Sequence, residues 1–202
     1  MAYDSIRDVT VLFGGLNGCH LDETWEWNGT SWTLRNPVTS PPIRSGHALV
    51  YDNARGVTVL FGGYNYDNKK GDTWEWDGPT WTERAPATSP SPRSAHAMAF
   101  DSVRQVTVLF GGSDSGYRND TWEWNGTTWT ERLAPTLPPA RYLHALAYDS
   151  ARGVTVLVSG LTSPGTVSND TWEWNGSDWT QRFGGPSRYG AGRQHRNHPG
   201  FR

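Results

Sequence analysis

The chain has 202 residues and a formal net charge of −2, with acidic and basic residues interspersed, so its charge gives no general pull toward nucleic acid or an anionic membrane. No apolar run approaches the roughly 20 residues that a membrane helix needs. The single cysteine, Cys19, excludes an internal disulfide and leaves the redox compartment open, and no signal peptide is visible.

Residues 2–15 open the chain with a strand-like stretch. Val9, Val11 and Phe13 alternate with Thr10 and Leu12, and Gly14-Gly15 ends the run. Both faces are mostly apolar, as expected of a strand covered on both sides. The stretch returns at residues 50–63, 99–112 and 147–160, the last with Ser159 in place of the first glycine. A loop of variable sequence follows each copy. Next comes Thr-Trp-Glu-Trp-Asn-Gly-Thr-Ser-Trp-Thr at 24–33, repeated at 73–82, 121–130 and 171–180, and these four copies hold all 12 Trp. Period-two alternation puts Trp25 and Trp27 on one strand face. Asn28-Gly29 predicts a two-residue type I′ hairpin turn, in which Trp25 faces Trp32. Three indoles then share one face of each hairpin. Arg35, Arg84, Arg132 or Arg182 closes it, a Pro-rich connection follows, and an Arg-x-x-His strand starts the next unit: Arg44/His47, Arg93/His96, Arg141/His144.

Asp4, Asp52, Asp101 and Asp149 mark a repeat of about 48 residues. Four strands in a period of roughly 40–50 residues predict an all-β propeller, with helix content near zero. The units are about 1–35 (incomplete), 44–84, 93–132 and 141–182. One blade cannot cover its own two faces, so the stability is expected between blades, from Val/Phe surfaces packed on Trp surfaces. Residues 1–186 form the propeller domain, and 187–202 a basic Gly/Arg/His tail expected to be disordered.

The double glycine after an apolar strand, the paired Trp and the Arg-x-x-His lead-in resemble kelch repeats over residues 1–182. The Asp-Ser-x-Arg and Thr-Trp-Glu-Trp wording is most similar to bacterial kelch-like proteins grouped with the central domain of galactose oxidase. Kelch resemblance implies a four-stranded, antiparallel blade and a backbone-bonding role for each His within its own blade.

Several residues compete for a function. Around a propeller axis His47, His96 and His144 form a partial ring, and neutral imidazoles on a ring can hold zinc or copper. That arrangement would make the chain a metal-dependent, galactose-oxidase-like enzyme. Galactose oxidase also needs a Tyr cross-linked to Cys, and Cys19 stands beside His20 with no matching Tyr constellation. No Gly-x-Ser-x-Gly, zinc-type spacing or phosphate loop appears, so no cofactor and no catalysis are expected. Glu26, Glu75, Glu123 and Glu173 form either a carboxylate ring for a cation or ion pairs with the Arg closing each hairpin. Asn28, Asn119, Asn125, Asn169 and Asn175 are formal glycosylation sequons, but turn chemistry accounts for Asn28, Asn125 and Asn175. Individuality lies in the loops at 16–23, 64–72, 113–120 and 161–170. Tyr64, Tyr66, Lys69, Lys70, Tyr117 and Arg118 make two of them aromatic and basic, and variable loops on a rigid scaffold are the usual seat of binding. The function expected is a non-catalytic scaffold that binds protein or glycan through these loops. A purely structural module of a larger surface protein, possible also as a secreted one, is the third reading.

Both ends bear on the architecture. Met1 aligns with Leu49, Met98 and Leu146, inside a strand. Pro186-Ser187-Arg188 repeats the wording before Arg93, after a shorter spacer, and the pattern then dissolves. The expectation is an arc of a longer propeller, which self-associates through its terminal blades. The rival is a four-bladed ring closed by 188–191. In the tail, Arg188, Arg193, Arg196 and Arg202 offer a weak nucleic-acid contact, and His195-x-x-His198 half a metal site.

Overall fold

A computed structural model describes residues 1–66, 68–163 and 166–182. The tail and its Arg and His residues lie outside the described residues. Blade one holds β1 (Ala2–Asp4), β2 (Val9–Asn17), β3 (Cys19–Trp27) and β4 (Trp32–Arg35). Blade two holds β5 (Ala48–Asp52), β6 (Val57–Phe61), the small insert β7 (Tyr64–Asn65) and β8 (Asn68–Lys69), then β9 (Thr73–Trp76) and β10 (Trp81–Arg84). Blade three holds β11 (Ala97–Asp101), β12 (Val106–Phe110), β13 (Thr121–Trp124) and β14 (Trp129–Arg132). Blade four holds β15 (Ala145–Asp149), β16 (Val154–Val158), the insert β17 (Leu161–Ser163) and β18 (Thr166–Val167), then β19 (Thr171–Trp174) and β20 (Trp179–Arg182). Each blade is a four-stranded antiparallel sheet in chain order. The first strands β1, β5, β11 and β15 approach their neighbours and line the axis. Among the described residues no helix is long and apolar enough to cross a membrane.

The hairpin register differs from the predicted one. Trp27 pairs with Trp32, Glu26 with Thr33 and Trp25 with Leu34, so the loop is the four residues Asn28-Gly29-Thr30-Ser31. The Asn28 side chain decides this, because its Oδ1 accepts the N–H groups of Thr30 and Ser31, each at 2.9 Å. Only Gly29 takes a positive φ, +90°, where a type I′ turn would need two such residues. All three indoles still share one face, and Trp27 and Trp32 pack at 5.6 Å. The Arg and His of Arg-x-x-His precede the first strand instead of lying in it. Gly46, Ala95 and Leu143, just before each His, take φ of 63°, 55° and 55°. Ala95 N–H donates to the Gly46 carbonyl at 2.7 Å and Leu143 N–H to the Ala95 carbonyl at 2.9 Å, linking three blades near the axis.

The core lies between blades, as the repeat requires. Val11 and Phe13 of blade one meet Leu60, Trp74, Trp76 and Trp81 of blade two. Val59 and Phe61 meet Met98, Leu109, Trp124 and Trp129, and Val108 and Phe110 meet Leu157, Trp172, Trp174 and Trp179. Burial of each such side chain is worth about 1.5–3 kcal/mol. Polar groups fix the register of this packing. Trp76 Nε1 donates to Glu26 Oε1 at 2.9 Å, and Trp81 Nε1 to Thr24 Oγ1 at 2.8 Å. Blades three and four repeat both bonds through Trp124, Trp129, Trp174 and Trp179.

The double glycine is explained by the next blade. A Cβ on Gly62 would meet the Arg93 carbonyl at 2.6 Å, and one on Gly111 the Arg141 carbonyl at 2.7 Å. The second glycine donates its N–H to the same carbonyl, Gly63 to Arg93 at 2.8 Å and Gly112 to Arg141 at 2.8 Å. Ser159 is accommodated at φ 63° because, among the described residues, no following blade crowds it. Among the described residues the four blades form an arc and not a closed ring, with Trp32 and Leu34 of blade one and Val158 of blade four exposed; the rival closure by 188–191 lies outside the described residues.

Candidate functional site

The three histidines are separated by their packing. Each ring stands edge-on against the Phe of the preceding blade: His47 on Phe13 at 5.6 Å, His96 on Phe61 and His144 on Phe110, each at 5.5 Å. Their contact is thus across the blade boundary, not within the blade. Burial, with the neighbouring Arg44 and Arg141 charges, lowers His47 to about 3 and His144 to about 4; burial and Arg93 push His96 well below its usual value. Among the described residues no group of three His, Cys, Asp or Glu side chains is placed to hold a metal ion. The imidazole ring proposed for zinc or copper is therefore not assembled.

The buried arginines ahead of them are tie-bars. Arg44 reaches Asp72 with Nη1 and Nη2, both at 2.7 Å, and donates to the Gly62 and Pro42 carbonyls. Arg93 with Asp120 and Arg141 with Asp170 repeat the fork. Burial works to raise these carboxyls, but the guanidinium outweighs it, holding Asp72 and Asp120 below the ordinary range and Asp170 at about 2. The glutamates are likewise committed. Glu26 accepts from Arg35 at 2.7 Å, from Arg7 at 2.5 Å and from Trp76, which leaves no carboxylate ring for a cation. Glu75 and Glu123 are held the same way.

The loops after the second strands form a continuous face. In blade one the loop at 16–23 is mostly strand: β2 and β3 run on past a bulge, and only Gly18 turns the chain between Asn17 and Cys19. This extension sets His20 against blade two. His20 Nε2 accepts the Tyr66 N–H at 3.0 Å, and its ring meets Tyr64 at 5.1 Å and Tyr66 at 5.2 Å, both edge-on. Tyr66 sits at φ 47° and is 66 % exposed. Lys69 donates to Ser113 Oγ at 3.2 Å and to the Asp114 carbonyl of blade three. Lys70 contributes backbone, with its carbonyl taking the Arg93 N–H at 3.0 Å. Arg118 pairs with Asp114 at 2.5 Å, and burial of that carboxyl is outweighed by Arg118, so it stays far below the usual range. Tyr117 stacks on Tyr142 of blade four at 4.7 Å and 25°. Tyr64, Tyr66 and Lys69 of blade two are thus brought beside Tyr117 and Arg118 of blade three, in one row that His20 of blade one and Tyr142 of blade four extend.

The KLHDC2/KLHL20/DRC7 Kelch-repeats domain model matches residues 1–182. The chain belongs to the kelch-repeat family. No curated protein matches it. Kelch domains generally mediate protein interactions, and the family is generally non-enzymatic. In this kelch chain, sequence reasoning missed His20 and Tyr142. His20 lies in a stretch read as loop, and its pairing with Leu16 across the strands becomes evident only once Gly18 is seen as the turn. Tyr142 stands inside Arg-x-x-His, where Ser45-Gly46 and Ser94-Ala95 carry no ring, and that break in the repeat was the available signal.

Proposed function

We propose that this kelch arc is a non-catalytic recognition scaffold that takes a protein partner on the row His20, Tyr64, Tyr66, Lys69, Tyr117 and Tyr142. The observation that carries this reading is Tyr66. It is a non-glycine residue in the left-handed region, its N–H bonded to His20, and it is exposed as a whole. Backbone strain of this kind costs about 1–3 kcal/mol and clusters at binding sites. Exposed Tyr on a rigid frame offers large contact area at low entropic cost, and Tyr is enriched where proteins meet. Lys69 has no carboxylate partner among the described residues and adds a positive charge suited to an acidic group of the partner.

Panning a random peptide library on phage against the purified chain tests this. Selected peptides are expected to lose binding at least tenfold to the Tyr66→Ala/Tyr117→Ala variant, with thermal unfolding unchanged. Peptides that bind both proteins equally would contradict the reading and leave the blades as a structural module. Binding on a glycan array instead, abolished by the same pair, would assign the face to carbohydrate.

A further inference from the structure

We propose that the two open ends of the arc are halves of one interface, and that their occupant is a second copy of this chain docked head-to-tail. The three boundaries inside the molecule state the pairing rule. The Trp face of each blade packs on the Val/Phe face of the blade before it, its two inner indoles donate to a Glu and a Thr, and an Arg of the earlier blade lies over the hairpin glycine. Arg7 covers Gly78, Arg55 covers Gly126 and Arg104 covers Gly176.

The ends carry the unmatched halves of all three elements. Blade one presents Leu12, Trp25 and Trp32, which line a shallow depression, and the Trp27 and Trp32 indoles have no acceptor among the described residues. Its Gly29 has open space where the other hairpin glycines meet an Arg. Blade four presents Val158, Ala145 and Arg152 to solvent. Its Glu173 is bonded to Arg152 and Arg182, and among the described residues neither it nor Thr171 receives an indole. Superimposing the rule assigns Trp27 to Glu173 of the second copy, Trp32 to its Thr171, and Arg152 of the second copy to the space over Gly29. This contact uses different patches on the two copies, so it closes into a ring if the rotation allows and otherwise runs on as an open chain. It lacks one part of the internal boundaries. Residues 1–35 hold no Arg-x-x-His segment to give the carbonyl that Gly63 and Gly112 use, so the association is weaker than the internal contacts.

Sedimentation of the full chain with Val158→Asp, with Trp32→Asp and with an equimolar mixture decides. The parent chain is expected to associate, each variant alone to lose that association at least tenfold, and the mixture to give a one-to-one dimer through the two faces left intact. Ala145→Asp and Leu34→Asp lie on the same two faces and replace either variant that unfolds. A monomeric parent, association that survives Val158→Asp, or a mixture that stays monomeric each overturns the proposal. Survival in Val158→Asp with loss in Trp32→Asp would indicate Trp face against Trp face.

Discussion

Trp81 and Trp32 hold the same place in the same hairpin, yet the first is 1 % exposed and the second 43 %. Both follow a four-residue turn, and both pack on a cross-strand Trp, at 5.4 Å for Trp76–Trp81 and 5.6 Å for Trp27–Trp32. The difference lies in the neighbour. Trp81 rests on Phe13 of blade one and donates to Thr24, whereas among the described residues no other blade packs on Trp32. A kelch hairpin therefore carries half of a core, and the adjacent blade supplies the rest.

The comparison is broken most severely by removing a ring. Trp129→Ala is expected to cost about 3–5 kcal/mol, since it empties a packed boundary and leaves Thr73 without its donor. Trp32→Ala in the monomer should cost about 1 kcal/mol or less. Urea unfolding of the two variants side by side makes the measurement, and equal losses would deny any role to the neighbour. Arg93→Ala should approach the Trp129 effect, about 3–5 kcal/mol, because Asp120 and the Gly111 carbonyl lose a buried partner. In blade one the corresponding Glu23 bonds only Trp25 among the described residues, so Glu23→Ala should fall within about 0.5 kcal/mol of the parent in the same assay.

How far the sequence carried this comparison depends on what each residue needs. The strand order, the inter-blade core and the Glu–Arg35 pairing were legible because they follow from alternation and repetition. The hairpin register was not, because Asn28 can serve a two-residue turn through its backbone or a four-residue loop through its side chain, and only the latter satisfies Thr30 and Ser31. The role of Glu26 was half legible: its own hairpin names Arg35, but the indole of Trp76 arrives from another blade. The Arg-x-x-His segment looked like strand because nothing local announces the left-handed turn at Ala95 or Leu143. In the loop face, Tyr64, Tyr66 and Tyr117 stood out by composition, while His20 needed the fold to reach them.

Acid sharpens the comparison in blade four. His144 is depressed from 6.5 to about 4, so the unfolded chain takes up its proton first as pH falls. The stability this neutral ring contributes is complete above about 6.5 and is lost down to about 4, in total roughly 3 kcal/mol at 1.36 kcal/mol per unit. Asp170 is depressed to about 2, and its contribution is lost between its ordinary value of 3.8 and that lower pH. His144→Asn should flatten the stability slope between pH 6.5 and 4 measured by urea midpoints, with His47 and His96 keeping the remainder. An unchanged slope would mean that His144 takes up a proton freely in the folded chain.

A smaller effect than the loss of an indole or of Arg93 concerns the glycine pair. Ser159→Gly should stabilise by up to about 1 kcal/mol, since it relieves a left-handed L-residue. Gly111→Ser should destabilise more than that, because its Cβ would lie 2.7 Å from the Arg141 carbonyl. Thermal unfolding of both variants orders them, and the reverse order would remove the neighbouring blade from the explanation.

The central claim is that each blade's indoles are sheltered by the blade before it, and hydrogen exchange of the indole N–H groups, followed by NMR at a dilution where the chain is monomeric, tests it most directly. Trp76, Trp81, Trp124, Trp129, Trp174 and Trp179 each donate across a boundary and are expected to exchange only on global opening. Trp27 and Trp32 should exchange orders of magnitude faster. Protection of Trp27 and Trp32 equal to that of Trp76 and Trp81 in the monomer would contradict the account.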